Sequence, residues 1–307
     1  MKTREVIGIG LAFCLMAAGM PVIADYDRGR SAWEKGDFVT AFKEHRAAAE
    51  GGDVRAQVAL GAMYIRGLGV PQDFAESARW FRLAADQGDI RAQVVLGGMY
   101  HRGDGLPKDP VEAGYWTRRA AEQGDATAQY GLGALYVEGS GVPQDYAEAT
   151  RWFRWAAEQG HAKAQFEVGF AYFMGRGVPR NDAEAQRWYR LGADQGEPAA
   201  QTALGNMFSQ GKGVAEDQAE AVRWYQLAAE QGFWVAQGAL GGYYRQGVGG
   251  LPKDWVMAYK WYSLAAAQGD KEAAGEVRSL EKEMSPEQIA EGQHLAGEFW
   301  EKSQKGD

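Results

Sequence analysis

Polar and apolar positions alternate in two recurring patterns over most of the chain. Within Asp53–Arg66, the residues Ala56, Leu60, Met63 and Tyr64 fall three and four apart, the spacing of one face of an α-helix. Gly67-Leu68-Gly69-Val70-Pro71 interrupts the pattern and predicts a tight loop. A second helical pattern follows, in which Ser77, Trp80, Phe81, Ala84 and Ala85 form the apolar stripe and Gly88 marks the end. Asp53 is placed to cap the first helix. Asp73-Phe74-Ala75-Glu76 predicts a capping box for the second, as do Asp145–Glu148, Asn181–Glu184 and Asp217–Glu220.

This helix pair recurs every 36 residues. Gly61, Gly97, Gly133, Gly169, Gly205 and Gly241 share one position, and Ala56-Gln57 returns as Ala92-Gln93, Ala128-Gln129, Ala164-Gln165, Ala200-Gln201 and Ala236-Gln237. Trp80 returns as Trp116, Trp152, Trp188, Trp224 and, after one inserted residue, Trp261. Such a period signals an array in which each pair buries its apolar face only by stacking on its neighbours. Gly61 and Ala56 leave room for the rings of Trp80 and Phe81. The predicted organisation is a leader at 1–24, an N-terminal capping pair at 25–53 and six repeats at 54–89, 90–125, 126–161, 162–197, 198–233 and 234–270. Capping helices at 271–302 and a tail at 303–307 complete it. Ser285-Pro286-Glu287-Gln288 opens the last helix, which is expected to cover the end of the array with Ile289, Leu295, Phe299 and Trp300.

The repeat resembles that of the Sel-one-like repeat (SLR) family, relatives of the tetratricopeptide repeats. The matching pattern is Ala-Gln-x-x-Leu-Gly-x-x-Tyr-x-x-Gly-x-Gly-Val-Pro-x-Asp, then Ala-x-x-Trp-x-x-x-Ala-Ala-x-x-Gly; residues 128–160 follow it almost throughout. Ala215 in place of the loop proline, Val168 in place of the leucine and the insertion at Gly249-Gly250 are local departures. The resemblance covers roughly residues 27–270. It implies an all-α fold, a right-handed superhelical solenoid of antiparallel helix pairs. It also implies a scaffold, since family members act as adaptors in envelope assembly, signalling and host contact.

Positions that hold constant between copies build the array, so those that vary are free for recognition. At 100° per residue, Val58, Ala62, Ile65 and Arg66 fall opposite the constant arc of the first helix. In solenoids of the resembled family that arc lines the concave face. The expected partner-binding strip is Val58, Ile65 and Arg66, then Val94, His101 and Arg102, then Tyr130 and Val137 with Glu138, then Phe166, Phe170, Phe173 and Met174. Copies five and six turn polar there, with Thr202, Asn206, Ser209 and Gln210, then Gly238, Gly242, Arg245 and Gln246. The fourth copy stands out, because three phenylalanines and a methionine form a stripe on the variable face. Either a protein or peptide partner docks there, beside Arg66, His101 and Arg102 as contacts for acidic groups, or another part of the chain or a second copy covers it. Trp155, at the position of Leu83, Leu191 and Leu227, is expected in the core, the alternative being an exposed anchor on the outer face.

The first residues carry a different signal. Lys2 and Arg4 precede an uncharged stretch, Val6–Gly19, and Val22 and Ala24 sit where a signal peptidase reads small residues. Cleavage after Ala24 and a periplasmic or secreted location are expected. Phe13 before Cys14, the sole cysteine, argues against lipidation, and cleavage would leave no thiol chemistry. The net charge of −8 argues against nucleic acid as partner, and no later segment is apolar enough for an integral membrane span. Candidate chemistry is sparse. The four histidines, His45, His101, His161 and His294, have no partners at metal-ligand spacing and read as surface or loop residues. Ser209-x-x-Lys212 and Ser279-x-x-Lys282 superficially match a serine–lysine nucleophile pair, and some cysteine-rich relatives in the resembled family are linked to β-lactams; the companion motifs are missing. Glu76, Glu112, Glu148, Glu184 and Glu220 recur at one repeat position, which marks them as structural. The expectation is a binding protein with no catalytic residues, no metal and no cofactor, self-association being possible.

Overall fold

A computed structural model describes residues 26–305, so the predicted leader and Cys14 lie outside the described residues. Every regular element among the described residues is an α-helix. They are α1 (Tyr26–Glu34), α2 (Phe38–Glu50), α3 (Val54–Arg66), α4 (Phe74–Asp86), α5 (Ile90–Arg102), α6 (Pro110–Glu122), α7 (Ala126–Glu138) and α8 (Tyr146–Glu158). There follow α9 (Ala162–Met174), α10 (Asp182–Asp194), α11 (Pro198–Gln210), α12 (Gln218–Glu230), α13 (Trp234–Gln246), α14 (Trp255–Ala267), α15 (Lys271–Leu280) and α16 (Pro286–Lys305). They divide into two compact units, α1–α4 and α5–α16. In each unit consecutive helices pack as pairs, and each pair packs on the next.

The first unit gathers Ala48, Ala49, Ala56, Leu60 and Trp80 into one core and Ala32, Ala41 and Met63 into another. The second is a row of similar cores, each built from the alanine-rich first helix of one repeat and the aromatic second helix. The repeating glycine sets their thickness. A Cβ at Gly133 would lie 2.6 Å from the ring of Phe153, and one at Gly169 equally close to that of Tyr189. In the loop, Gly141 has a φ of +71° and would bring a Cβ within 1.8 Å of the Pro110 carbonyl oxygen, so both backbone conformation and close approach require glycine there.

The constant glutamine has a role that periodicity alone does not reveal. Gln129 Nε2 donates to the Ala121 carbonyl of the preceding repeat at 3.2 Å, and Gln129 Oε1 accepts from Gln159 Nε2 at 2.7 Å. The same arrangement joins Gln165 to Ala157 and Gln195, and Gln201 to Ala193 and Gln231. Each amide thus ties the end of one second helix to the next pair. It satisfies buried backbone groups where only hydrogen-bonded polar groups are tolerated.

Four expectations need correction. The second-helix caps accept as expected, Asp73 from Ala75 N–H and Glu76 N–H, but the reciprocal half of the capping box does not form. The Asp73 N–H already donates to the Tyr64 carbonyl across the loop, and Glu76 turns to Arg79. Asp145, Asn181 and Asp217 repeat this, whereas Ser285 and Gln288 make the full reciprocal pair. Trp155 is 42% exposed, like Leu83, Leu191 and Leu227 at its position, with its ring edge-on to Trp152. Trp300 is also exposed, while Phe299 of the same helix packs on Trp261. His45 is buried rather than at the surface, against Tyr26 and over Gly29.

Candidate functional site

In the first unit, Val58 and Ile65 are half-buried on α3 and Arg66 is exposed. The remaining residues of the expected strip lie in the second unit, where all but Tyr130 and Met174 line one of three cavities. Val94, His101 and Arg102 of α5 border a cavity of about 330 Å³ with Thr117, Gly131 and Glu138. His101 is exposed there, and Arg102 is paired with Asp104 at 2.6 Å.

Val137 borders a small cavity of about 40 Å³ with Phe153, Glu167, Phe170 and Arg176. Tyr130 stacks on His161 with ring centroids 4.8 Å apart. His161 caps α9, its Nδ1 accepting from Ala164 N–H, and burial lowers its pKa.

Phe166, Phe170 and Phe173 line the third cavity, of about 260 Å³, together with Tyr189, Thr202, Asn206, Phe233 and Val235. The three rings are half-buried against the core around Tyr189 and Leu204, while their outer faces border the open space. Phe166 stacks on Phe170 and tilts against Tyr189. Met174 is 48% exposed beyond them. The polar residues of copy five are largely committed to the fold. Thr202 is buried and donates to the Pro198 carbonyl, and Asn206 accepts from the Tyr225 hydroxyl at 2.7 Å.

Two contributors escaped the repeat-based reading. Glu167 lines the small cavity with Phe170, and the equivalent positions are Ala59, Val95, Gly131, Ala203 and Ala239. Burial raises its pKa above the usual glutamate range, and the nearby Glu197 carboxylate adds to that effect. Phe233 occupies the N-cap position of α13, where α3 has Asp53 and α7 has Asp125. Their shared signal in the sequence is a departure from the repeat.

The serine–lysine patterns do not form pairs. Ser209 Oγ accepts from the Tyr243 hydroxyl while Lys212 lies over the ring of Phe173, and Ser279 Oγ accepts from Arg245. No cluster of metal-binding side chains occurs among the described residues, and none of their helices is long and apolar enough to cross a membrane.

Stacked helix pairs with a variable, cavity-lined face define a helical-repeat protein. The model of the Sel1 repeat matches residues 54–89, 90–125, 126–161, 162–197, 198–233 and 234–270, and the chain belongs to that family, whose members are generally protein-interaction scaffolds. A Sel1 repeat protein from Oxalobacter formigenes is 33% identical and superposes with a TM-score of 0.71, the match covering 78% of this chain and 96% of that one. The protective antigen c5321 of uropathogenic Escherichia coli, which displays an SLR fold, is 32% identical with a TM-score of 0.62, over 92% of this chain and 72% of that one. A search of curated proteins finds no match.

Proposed function

We propose that the protein is an exported, non-catalytic scaffold that holds a segment of a partner protein along the face formed by α5, α7, α9 and α11. The observation that carries this reading is the aromatic cavity of Phe166, Phe170, Phe173, Tyr189 and Phe233. Apolar rings bordering open space gain by being covered, at roughly 25 cal/mol per Å² of apolar surface removed from water. A cavity of about 260 Å³ falls below the usual size of a drug-like ligand site, which suits side chains of a docked peptide better than a whole small molecule. Export rests on the leader pattern of residues 1–24.

The test is site-directed photocross-linking. A photoreactive residue at Ala199, which lines the cavity, or at the exposed Met174 at the end of α9 is compared with one at the exposed Arg187 of α10. Cells producing the full chain are irradiated, and their envelope and culture fractions are analysed. A single partner should be trapped from Ala199 and Met174 and not from Arg187, and Ala199→Trp, which fills the cavity without removing a packed ring, should abolish trapping from Met174. Equal trapping from all three positions, or none from any, would overturn the reading; trapping of a second copy would replace it with self-association.

A further inference from the structure

Glu167 is chemically out of place in the free protein. Its carboxylate is partly withdrawn from water among Tyr130, Phe170 and Tyr189, and no hydrogen bond or ion pair from the described residues reaches it. Its charged neighbour is Glu197, a like charge that makes the site less favourable still. Cations are not absent from this region, yet they are directed elsewhere. Arg176, which lines the small cavity with Glu167, lies over the rings of Tyr146 and Phe170. Arg180 and Lys212 lie over Phe173, and Arg180 is paired with Asp182. Among the described residues no cation lies over Phe166, Tyr130 or Tyr189, although Arg176 covers Phe170. Glu167 and Arg176 thus share the small cavity without pairing, while Arg180 and Lys212 lie over Phe173.

A second, independent feature marks the same place. Asp53, Asp125 and Asp270 cap their first-type helices with a carboxylate. In copies four, five and six that position carries His161, Glu197 and Phe233, and α11 and α13 have no side-chain cap at all. His161 stacks on Tyr130, Glu197 lies by Glu167, and Phe233 lines the aromatic cavity. Three successive helices depart from the best local choice, and their replacements surround one groove. Departures of that kind are expected where a sequence serves a ligand rather than its own fold.

Resting on the groove reading above, we infer that the docked segment presents a lysine or arginine to Glu167, next to an apolar side chain that fills the aromatic cavity. The long apolar stem of such a residue would lie along Phe166 and Phe170, with its charge at the carboxylate and over a ring face. Ligand binding would then supply the countercharge that the free chain lacks.

The experiment is selection of a displayed random twelve-residue peptide library on residues 25–307, followed by a double-mutant cycle on the best binder, measured by fluorescence anisotropy. Enriched peptides should carry a basic residue adjacent to a large apolar one. Glu167→Gln, and replacement of the peptide's basic residue by glutamine, should each weaken binding at least tenfold, and the two together little more than either alone. Enrichment of uncharged or acidic peptides, or additive losses in the cycle, would overturn this inference while leaving the groove in place. Peptides that bind Ala199→Trp as well as the native chain, or no enrichment at all, would overturn the groove reading and the inference with it. Circular dichroism of each variant separates loss of fold from loss of contact.

Discussion

At the residue scale, Glu167 should reveal itself by its effect on stability before any partner is known. A carboxyl whose pKa is higher in the folded chain than in the unfolded one holds its proton more tightly when folded. Its charge therefore costs stability above the folded pKa and nothing below the unfolded one. Burial, followed by the Glu197 carboxylate, raises Glu167 in this way. Glu167→Gln is accordingly expected to raise the thermal midpoint at pH 7.5, with the gain fading as the pH falls through the raised folded pKa and gone below about 4.3, the ordinary glutamate value. Calorimetry of both chains at the two pH values checks this; a gain of equal size in acid would point to better packing instead. The tryptophans show how one substitution redirects a contact. Glu76, Glu148, Glu184 and Glu220 pair with the arginine three residues on, and the indole N–H of Trp80, Trp152, Trp188 and Trp224 finds no acceptor among the described residues. Copy two has Tyr115 in place of that arginine, and Glu112 accepts from Trp116 Nε1 at 3.0 Å.

At the scale of the element, helix ends carry the clearest consequence. The first-type helices with aspartate caps satisfy one or two of their free N–H groups, Asp53 those of Arg55 and Ala56 and Asp125 that of Ala128. Glu197 is one methylene too long and makes no such bond, although α11 has proline in its first turn like the well-capped α6. Glu197→Asp should therefore stabilise the chain by roughly 0.5–1 kcal/mol, the typical contribution of a restored cap. A shift of the urea midpoint at unchanged m-value measures it, and an unchanged midpoint would show that the α11 terminus is already satisfied by solvent. The helices themselves were legible in the sequence because their caps, stripes and terminating glycines agree with one another. The capping box was over-read. Residue spacing identified Asp73 and Glu76, but a backbone bond across the loop from Asp73 to Tyr64, which spacing does not encode, had already used the donor.

At the scale of the whole molecule, stability should be divided among neighbouring pairs. The helix α16 packs on α14, where Ile289 and Phe299 meet the cores around Tyr259 and Trp261. Removing residues 286–307 would expose those cores to water, but it leaves the interfaces of α5–α10 untouched. Hydrogen exchange of the shortened chain should show protection lost in α13–α15 and retained in α5–α10, as nearest-neighbour coupling requires. A uniform loss would mean that the second unit unfolds as one cooperative block.

The sequence by itself determined the all-α class, the helix pair and its six-fold recurrence, because these follow from local spacing and from matches between copies. It also singled out Phe166, Phe170 and Phe173, since a departure from a repeat is visible without coordinates. Tertiary structure decided the rest. It showed that the three rings are held half-buried by Tyr189 and Leu204 yet border a cavity, and that Trp155 lies outside the core. It also brought Glu167, Glu197 and Phe233 to one groove from positions 30 and 36 residues apart. The reason is physical: periodicity fixes which face of a helix a residue occupies, whereas burial and charge depend on which side chains the neighbouring repeats place against that face.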